Sequence, residues 1–240
     1  MVEPRENNKI GNKSAAIGLK LGATTIELTG LWALIAFSIL LGIVVLLVYL
    51  VSITSDSLLW VSAVLWILFI GYWSAVAGKS ATNINSESAA SRQLHQLLMY
   101  GALALAFVRV PGLGRRWLPN AAWIAFVGLA VQVSSALFAV WARRHLGRNW
   151  SGAITAKVDH DLIRTGPYRL ARHPIYSAML GMFLGTALVS GEFHALLGML
   201  IIAVAYWRKI RLEERHLCKV FGVAYDEYRK KSWALIPGLL

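Results

Sequence analysis

Two strings in this 240-residue chain concentrate side chains able to do chemistry. The first contains His160-Asp161-Leu162-Ile163, then Gly166-Pro167-Tyr168, then Arg172-His173-Pro174-Ile175-Tyr176. Gly166-Pro167 makes a turn, and Pro174 suits the first position of a helix, where its missing N–H has no intrahelical partner to lose. Arg172 and His173 then stand at a helix N-terminus. Taken alone, these residues describe a basic turn that caps a membrane span at its interface. The second string is Trp207-Arg208-Lys209-Ile210-Arg211-Leu212-Glu213-Glu214-Arg215-His216, followed by Phe221-Gly222, Tyr225, Tyr228 and Pro237. Lys209 and Glu213 are four apart, the spacing of a surface salt bridge on a helix.

Other chemistries lack their residues. The chain has no Gly-x-Gly-x-x-Gly after a strand, no Walker loop and no His-Glu-x-x-His. Its six histidines, at 95, 145, 160, 173, 194 and 216, have no close ligand pairing, so no metal is expected. A single cysteine, Cys218, cannot close an internal disulfide. The net charge of +12 comes from basic residues that flank apolar segments. That arrangement is one of orientation signals and anionic-lipid contacts, not of a nucleic-acid surface.

The elements that position these strings are membrane helices. Apolar residues make up 57% of the chain and charged residues 15%, against roughly 45–50% and about 25% in soluble proteins. Between Leu28 and Gly78, Asp56 is the sole Asp, Glu, Lys or Arg. A bilayer core needs about 20 apolar helical residues. Such spans are expected at Leu31–Val51, Leu58–Ala77, Leu94–Val110 and Pro119–Ala142, and two shorter ones at Ile175–Val189 and Phe193–Trp207. Ser190-Gly191-Glu192 is short enough to force the last two into a hairpin. Small residues at Ser177, Gly181 and Gly185 share one face and allow close helix approach.

From Arg208 to Lys231 the pattern is that of an amphipathic helix on the membrane surface. The expected fold is all-α: a polytopic bundle of about six spans with a C-terminal hairpin and a cytoplasmic amphipathic helix. Its expected divisions are a polar tail at 1–29, a four-span bundle at 30–142 and a C-terminal module at 143–240. The positive-inside rule puts both termini and the Arg-rich 143–173 loop in the cytoplasm. Arg109, Arg115 and Arg116 object, since they fall near an outside connection.

Taken together, the two strings resemble a known family. Gly-x-Tyr at 166–168, Arg-His-Pro-x-Tyr at 172–176, a helical hairpin, Glu213-Glu214, Phe-Gly-x-x-Tyr-x-x-Tyr at 221–228 and Pro237 are similar to the isoprenylcysteine carboxyl methyltransferases and their phospholipid N-methyltransferase relatives. The resemblance covers about residues 145–238. It implies a multi-span enzyme that binds S-adenosylmethionine against the cytoplasmic leaflet and methylates a lipophilic or prenylated acceptor entering from the membrane lipids.

By the same resemblance, Glu213 holds the cofactor's ammonium, and His173 with the helix start at Pro174-Ile175 offers donors to its carboxylate. Tyr168 and Tyr176 line it with aromatic faces that favour a sulfonium. His160, Asp161, Leu162 and Ile163 match the segment that wraps the nucleoside. The family's carboxylate-gripping base falls on Lys209, flanked by Arg208 and Arg211, where arginine's two-point fork is replaced by a point charge. Lys209, Arg172 and His173 are thus the expected catalytic residues. Ala178 departs from the family's glycine. An amine acceptor, as in phospholipid N-methylation, would also need a base, His173 or His216. Two other readings stay open: an NADPH-dependent sterol-type reductase with a similar C-terminal arrangement, and a non-catalytic membrane protein whose basic tail binds lipid or a partner.

Overall fold

The computed structural model describes residues 57–77, 83–85, 87–150, 155–157 and 161–238. The expected first span, Leu31–Val51, and His160 lie outside the described residues. Six helices follow one another: α1 Ser57–Ala77, α2 Ala89–Phe107, α3 Ala122–Leu146, α4 Pro174–Ser190, α5 Phe193–Phe221 and α6 Val223–Lys230. A two-stranded antiparallel ribbon pairs β1 Asn83–Asn85 with β2 Thr155–Lys157, Ile84 opposite Ala156.

Local chemistry sets the helix ends. Ser88 caps α2, its hydroxyl accepting from the Ser91 N–H at 3.2 Å. Arg143 ends α3 by donating to the Gly147 carbonyl at 2.9 Å, and it reaches the Val76 carbonyl of α1 at 3.1 Å. Pro174 opens α4 at the first helical position, and Gly191, at φ 63°, ends it in the left-handed conformation. The 190–192 hairpin therefore forms as its length requires.

Close approach of backbones organises the bundle. A Cβ added to Gly185 would lie 2.6 Å from the Gly128 carbonyl oxygen, and one added to Gly128 would lie 2.6 Å from the Gly185 carbonyl oxygen. Glycine at both positions lets α3 and α4 touch. Gly198 brings α5 equally near α2 at the Ala102 carbonyl. Trp66, Phe69, Met182, Phe183, Ile202 and Tyr206 fill the core, with alanines at the crossings. A buried polar set ties the layers: Ser62 donates to Gln132 at 2.7 Å, and the Trp66 indole donates to Thr186 at 2.9 Å. Outward faces stay apolar, as lipid contact requires, with Phe126, Val133 and Leu137 exposed on α3 and Leu197, Leu200, Val204 and Trp207 on α5.

The helices differ in length from the expected spans. Among the described residues, α1, α3 and α5 are long and apolar enough to cross a membrane, and α4 is a shorter apolar helix. Among the described residues these three have the full length, and the expected first span lies outside them. α2 starts with a polar turn, Ala89 to Gln93, and α4 stops at Gly191 after 17 residues. The segment from Arg208 is also no separate surface helix. It continues the last apolar helix without a break to Phe221, because nothing between Phe193 and Phe221 interrupts helical geometry until Gly222 turns to φ 52°. Only the short α6 follows.

Candidate active site

The site lies where the start of α4 meets the charged half of α5. Tyr176 donates its phenol to Glu213 Oε2 at 2.8 Å, and His173 Nδ1 lies 3.8 Å from the same oxygen. His173 Nε2 lies 3.5 Å from Glu214 Oε1, yet it is buried and makes no hydrogen bond of good geometry among the described residues. Rings stack outward from this point. His173 faces Tyr176 at 5.5 Å and 9°, Tyr176 faces Tyr206 at 4.8 Å and 20°, and Tyr206 meets His95 at 5.5 Å. The stack joins α4, α5 and α2.

The two adjacent glutamates have different surroundings. Glu214 accepts from Arg172 Nε at 2.7 Å and lies 3.6 Å from Arg229 Nε. Burial works to raise its carboxyl, but the His173 ring and the Arg172 guanidinium outweigh that and hold it down to about 2. Glu213 is the more open of the pair, and its contacts among the described residues are a phenol and an imidazole.

A C-terminal strap closes the site from outside. Arg172 N–H donates to the Trp233 carbonyl at 2.8 Å, His173 N–H to the Ala234 carbonyl at 3.0 Å, and the Ser177 hydroxyl to the Leu235 carbonyl at 2.7 Å. Arg172 Nη1 also donates to the Ser232 carbonyl, and the Tyr228 phenol donates to the Tyr168 carbonyl. Burial pushes the Tyr228 phenol up to about 12, and burial with the nearby Glu213 charge holds Tyr168 well above the usual phenol range. Both phenols stay neutral at physiological pH, and that of Tyr228 remains a donor.

The structure brings His173, Pro174, Tyr176 and Glu213 together, with Tyr168 and Ile175 buried beneath them against Ala142. Ile163 packs on that cluster, Leu162 is half-buried and Asp161 is exposed. Arg172 serves Glu214 and the strap. The His173 N–H, expected as a donor to a ligand, is used by Ala234. Lys209 faces Glu87 Oε2 at 3.7 Å instead of the surface pairing its spacing suggested. The sequence pattern gave no sign of Tyr206, His95 and Glu87. Tyr206 is hidden in an apolar run, His95 stands among polar residues with no motif around it, and the one local clue to Glu87 is its place before the Ser88 cap.

Comparison with known proteins points to the same family as the sequence resemblance. The phospholipid methyltransferase family profile matches residues 123–224. The protein-S-isoprenylcysteine O-methyltransferase of Schizosaccharomyces pombe is 35% identical over 38% of this chain, an alignment spanning 40% of that enzyme. A probable protein-S-isoprenylcysteine O-methyltransferase of Oryza sativa subsp. indica is 28% identical over 74% of this chain and 95% of its own length. The fold is similar to that of the eukaryotic intramembrane Ras methyltransferase, an isoprenylcysteine carboxyl methyltransferase, with a TM-score of 0.60 at 15% identity over 96% of this chain and 87% of that one. Helical hairpin, strap and apolar spans are those of an integral membrane fold like that of this methyltransferase. The chain is similar to the isoprenylcysteine carboxyl methyltransferases over most of its length and to the phospholipid methyltransferase family over 123–224.

Proposed function

We propose that the protein binds S-adenosylmethionine between α4 and α5 and transfers its methyl group to the carboxylate of an S-prenylated cysteine. The observation that carries this reading is the division of labour between the two glutamates. Arg172 and Arg229 take Glu214, whereas Glu213, 30% exposed, meets a phenol and an imidazole and leaves an open side for a cationic ligand. The residues fit the cofactor. Glu213 would hold its ammonium, the orphaned His173 Nε2 would face its carboxylate, and Tyr176 with Tyr168 would supply aromatic surface.

When bound, S-adenosylmethionine supplies a methyl on a sulfonium that passes to a carboxylate oxygen with no proton to remove, leaving a methyl ester and a neutral thioether. The chain's own task is alignment and exclusion of water. Lys209, one helical turn before Glu213, would take the acceptor carboxylate, and Arg172 holds the strap that keeps His173 in place.

The reading places the site on the cytoplasmic side, at the end where Arg143, Arg144, Arg164, Arg169 and the charged half of α5 gather. At the opposite end Glu192 neutralises Arg109, which weakens the one objection to this orientation. Dialysed membranes carrying the protein should retain radiolabelled S-adenosylmethionine, and Glu213→Ala should abolish retention. Product from an N-acylated S-prenylcysteine should release volatile methanol in mild base. A base-stable N-methyl product from phosphatidylethanolamine would replace this reading with the phospholipid one.

A further inference from the structure

Tyr206, Lys209 and Glu213 lie at i, i+3 and i+7 on α5 and so share one face. The Lys209 side chain is 6% exposed and that of Glu87 is 3% exposed, their charges 3.7 Å apart. Glu87 is in turn held at its other oxygen: Ser91 Oγ donates to Glu87 Oε1 at 2.9 Å. Arg208 Nη2 donates to Ser91 Oγ at 2.8 Å. The chain Lys209–Glu87–Ser91–Arg208 therefore leaves α5, crosses the first turn of α2 and returns to α5.

The geometry points to Glu87 as a positioning residue for the acceptor: it holds the Lys209 ammonium along the Tyr206–Lys209–Glu213 face, where the acceptor carboxylate binds. Lysine ends a flexible four-carbon stem and needs a fixed partner to hold one direction. Glu87 supplies that partner, and its own orientation is set by Ser91 in the first turn of α2. An ammonium carries three N–H donors, so the Glu87 contact alone does not use it up. The acceptor end of the site is then partly built by α2, before the region matched by the family profile at 123–224. This inference rests on the carboxyl methyltransferase reading.

The test uses the full chain in lipid nanodiscs, with N-acetyl-S-farnesylcysteine as acceptor, reading acceptor KM, kcat and retention of labelled cofactor. Glu87→Gln should raise acceptor KM about tenfold while cofactor retention persists, and Glu87→Asp should recover part of the loss. Ser91→Ala should raise acceptor KM by a smaller factor. Lys209→Gln should raise it as well, and adding Glu87→Gln to that variant should cost little more, since the two act as one unit. An unchanged acceptor KM in Glu87→Gln, or strictly additive effects in the double variant, overturns the inference. Where Glu87→Gln fails to retain cofactor and so to fold, an unchanged acceptor KM in Ser91→Ala overturns it. Failure of the underlying reading looks different: the unmutated protein then retains no cofactor or yields no base-labile ester.

Discussion

From α4, the helix that Pro174 opens, the Tyr176 phenol donates to Glu213 of α5 at 2.8 Å and fixes that carboxylate. Hydrogen bonds to a charged group contribute about 1.5–3 kcal/mol net. Tyr176→Phe keeps the ring stack with His173 and Tyr206 but removes this donor. It should weaken cofactor retention by roughly ten- to a hundredfold, whereas Glu213→Ala should remove it. Equilibrium binding of labelled S-adenosylmethionine to the purified protein measures both, and equal affinity in Tyr176→Phe would contradict the assigned role.

Glu214 gives the strap a pH dependence of definite sign. Its carboxyl is held to about 2, below its ordinary value of 4.5, so the folded state prefers the ionised form. The resulting stabilisation is complete above about pH 4.5 and disappears as pH falls towards 2. Thermal melting of the solubilised protein should therefore decline through that window, and Glu214→Gln should flatten the decline. Arg172→Ala should loosen the 232–236 segment even at neutral pH, which limited proteolysis near Trp233 would register.

Much of this arrangement could be read from the chain, for physical reasons that differ by residue. Pro174 and Gly191 act through their own backbone preferences, so the start of α4 and the hairpin turn follow from local sequence. The Arg172–Tyr176 and Glu213–Glu214 strings gather charged and aromatic side chains at the ends of apolar segments, which makes them conspicuous. Lys209 misleads, because its neighbour at i+4 is visible in sequence while its buried partner Glu87 is brought in by α2 packing on α5. The length of α5 misleads too. Charge begins at Arg208, but helical hydrogen bonding continues to Phe221 regardless of where polarity changes. Tyr206 is an aromatic inside an apolar helix, and only the α4–α5 crossing reveals that it stacks on Tyr176.

Close packing of α3 on α4 should resist even a methyl group. Gly185→Ala would place its Cβ 2.6 Å from the Gly128 carbonyl oxygen and 2.8 Å from Gln132 Cβ. Backbone on one side of that clash leaves little room to relax, so destabilisation of about 1–3 kcal/mol is expected. Gly101→Ala on α2 meets nothing within 4 Å and serves as the matched control, neutral or slightly stabilising. Melting temperatures of the two variants in one detergent decide the matter, and equal values would remove the packing argument.

The far end of the hairpin should matter for stability and not for cofactor binding. Glu192, buried before α5, accepts two hydrogen bonds from Arg109 and lies 2.9 Å from His194 Nε2. His194 Nδ1 lies 2.7 Å from the Leu105 carbonyl. Backbone bonds reinforce this knot: Phe193 N–H donates to the Arg115 carbonyl at 3.0 Å, and Trp117 N–H to the Gly191 carbonyl at 2.9 Å. Glu192→Gln removes the charge that Arg109 and His194 share while preserving shape. Because Arg109 is half-exposed, the loss should be about 1–3 kcal/mol, less than a fully buried pair would forfeit. Glu213 stands 21 residues along α5, roughly 30 Å away at 1.5 Å per residue, too far for direct contact. Glu192→Gln should therefore melt earlier yet retain labelled cofactor normally below its transition. Loss of retention in the still-folded variant would mean that the hairpin transmits strain along α5 to the glutamates.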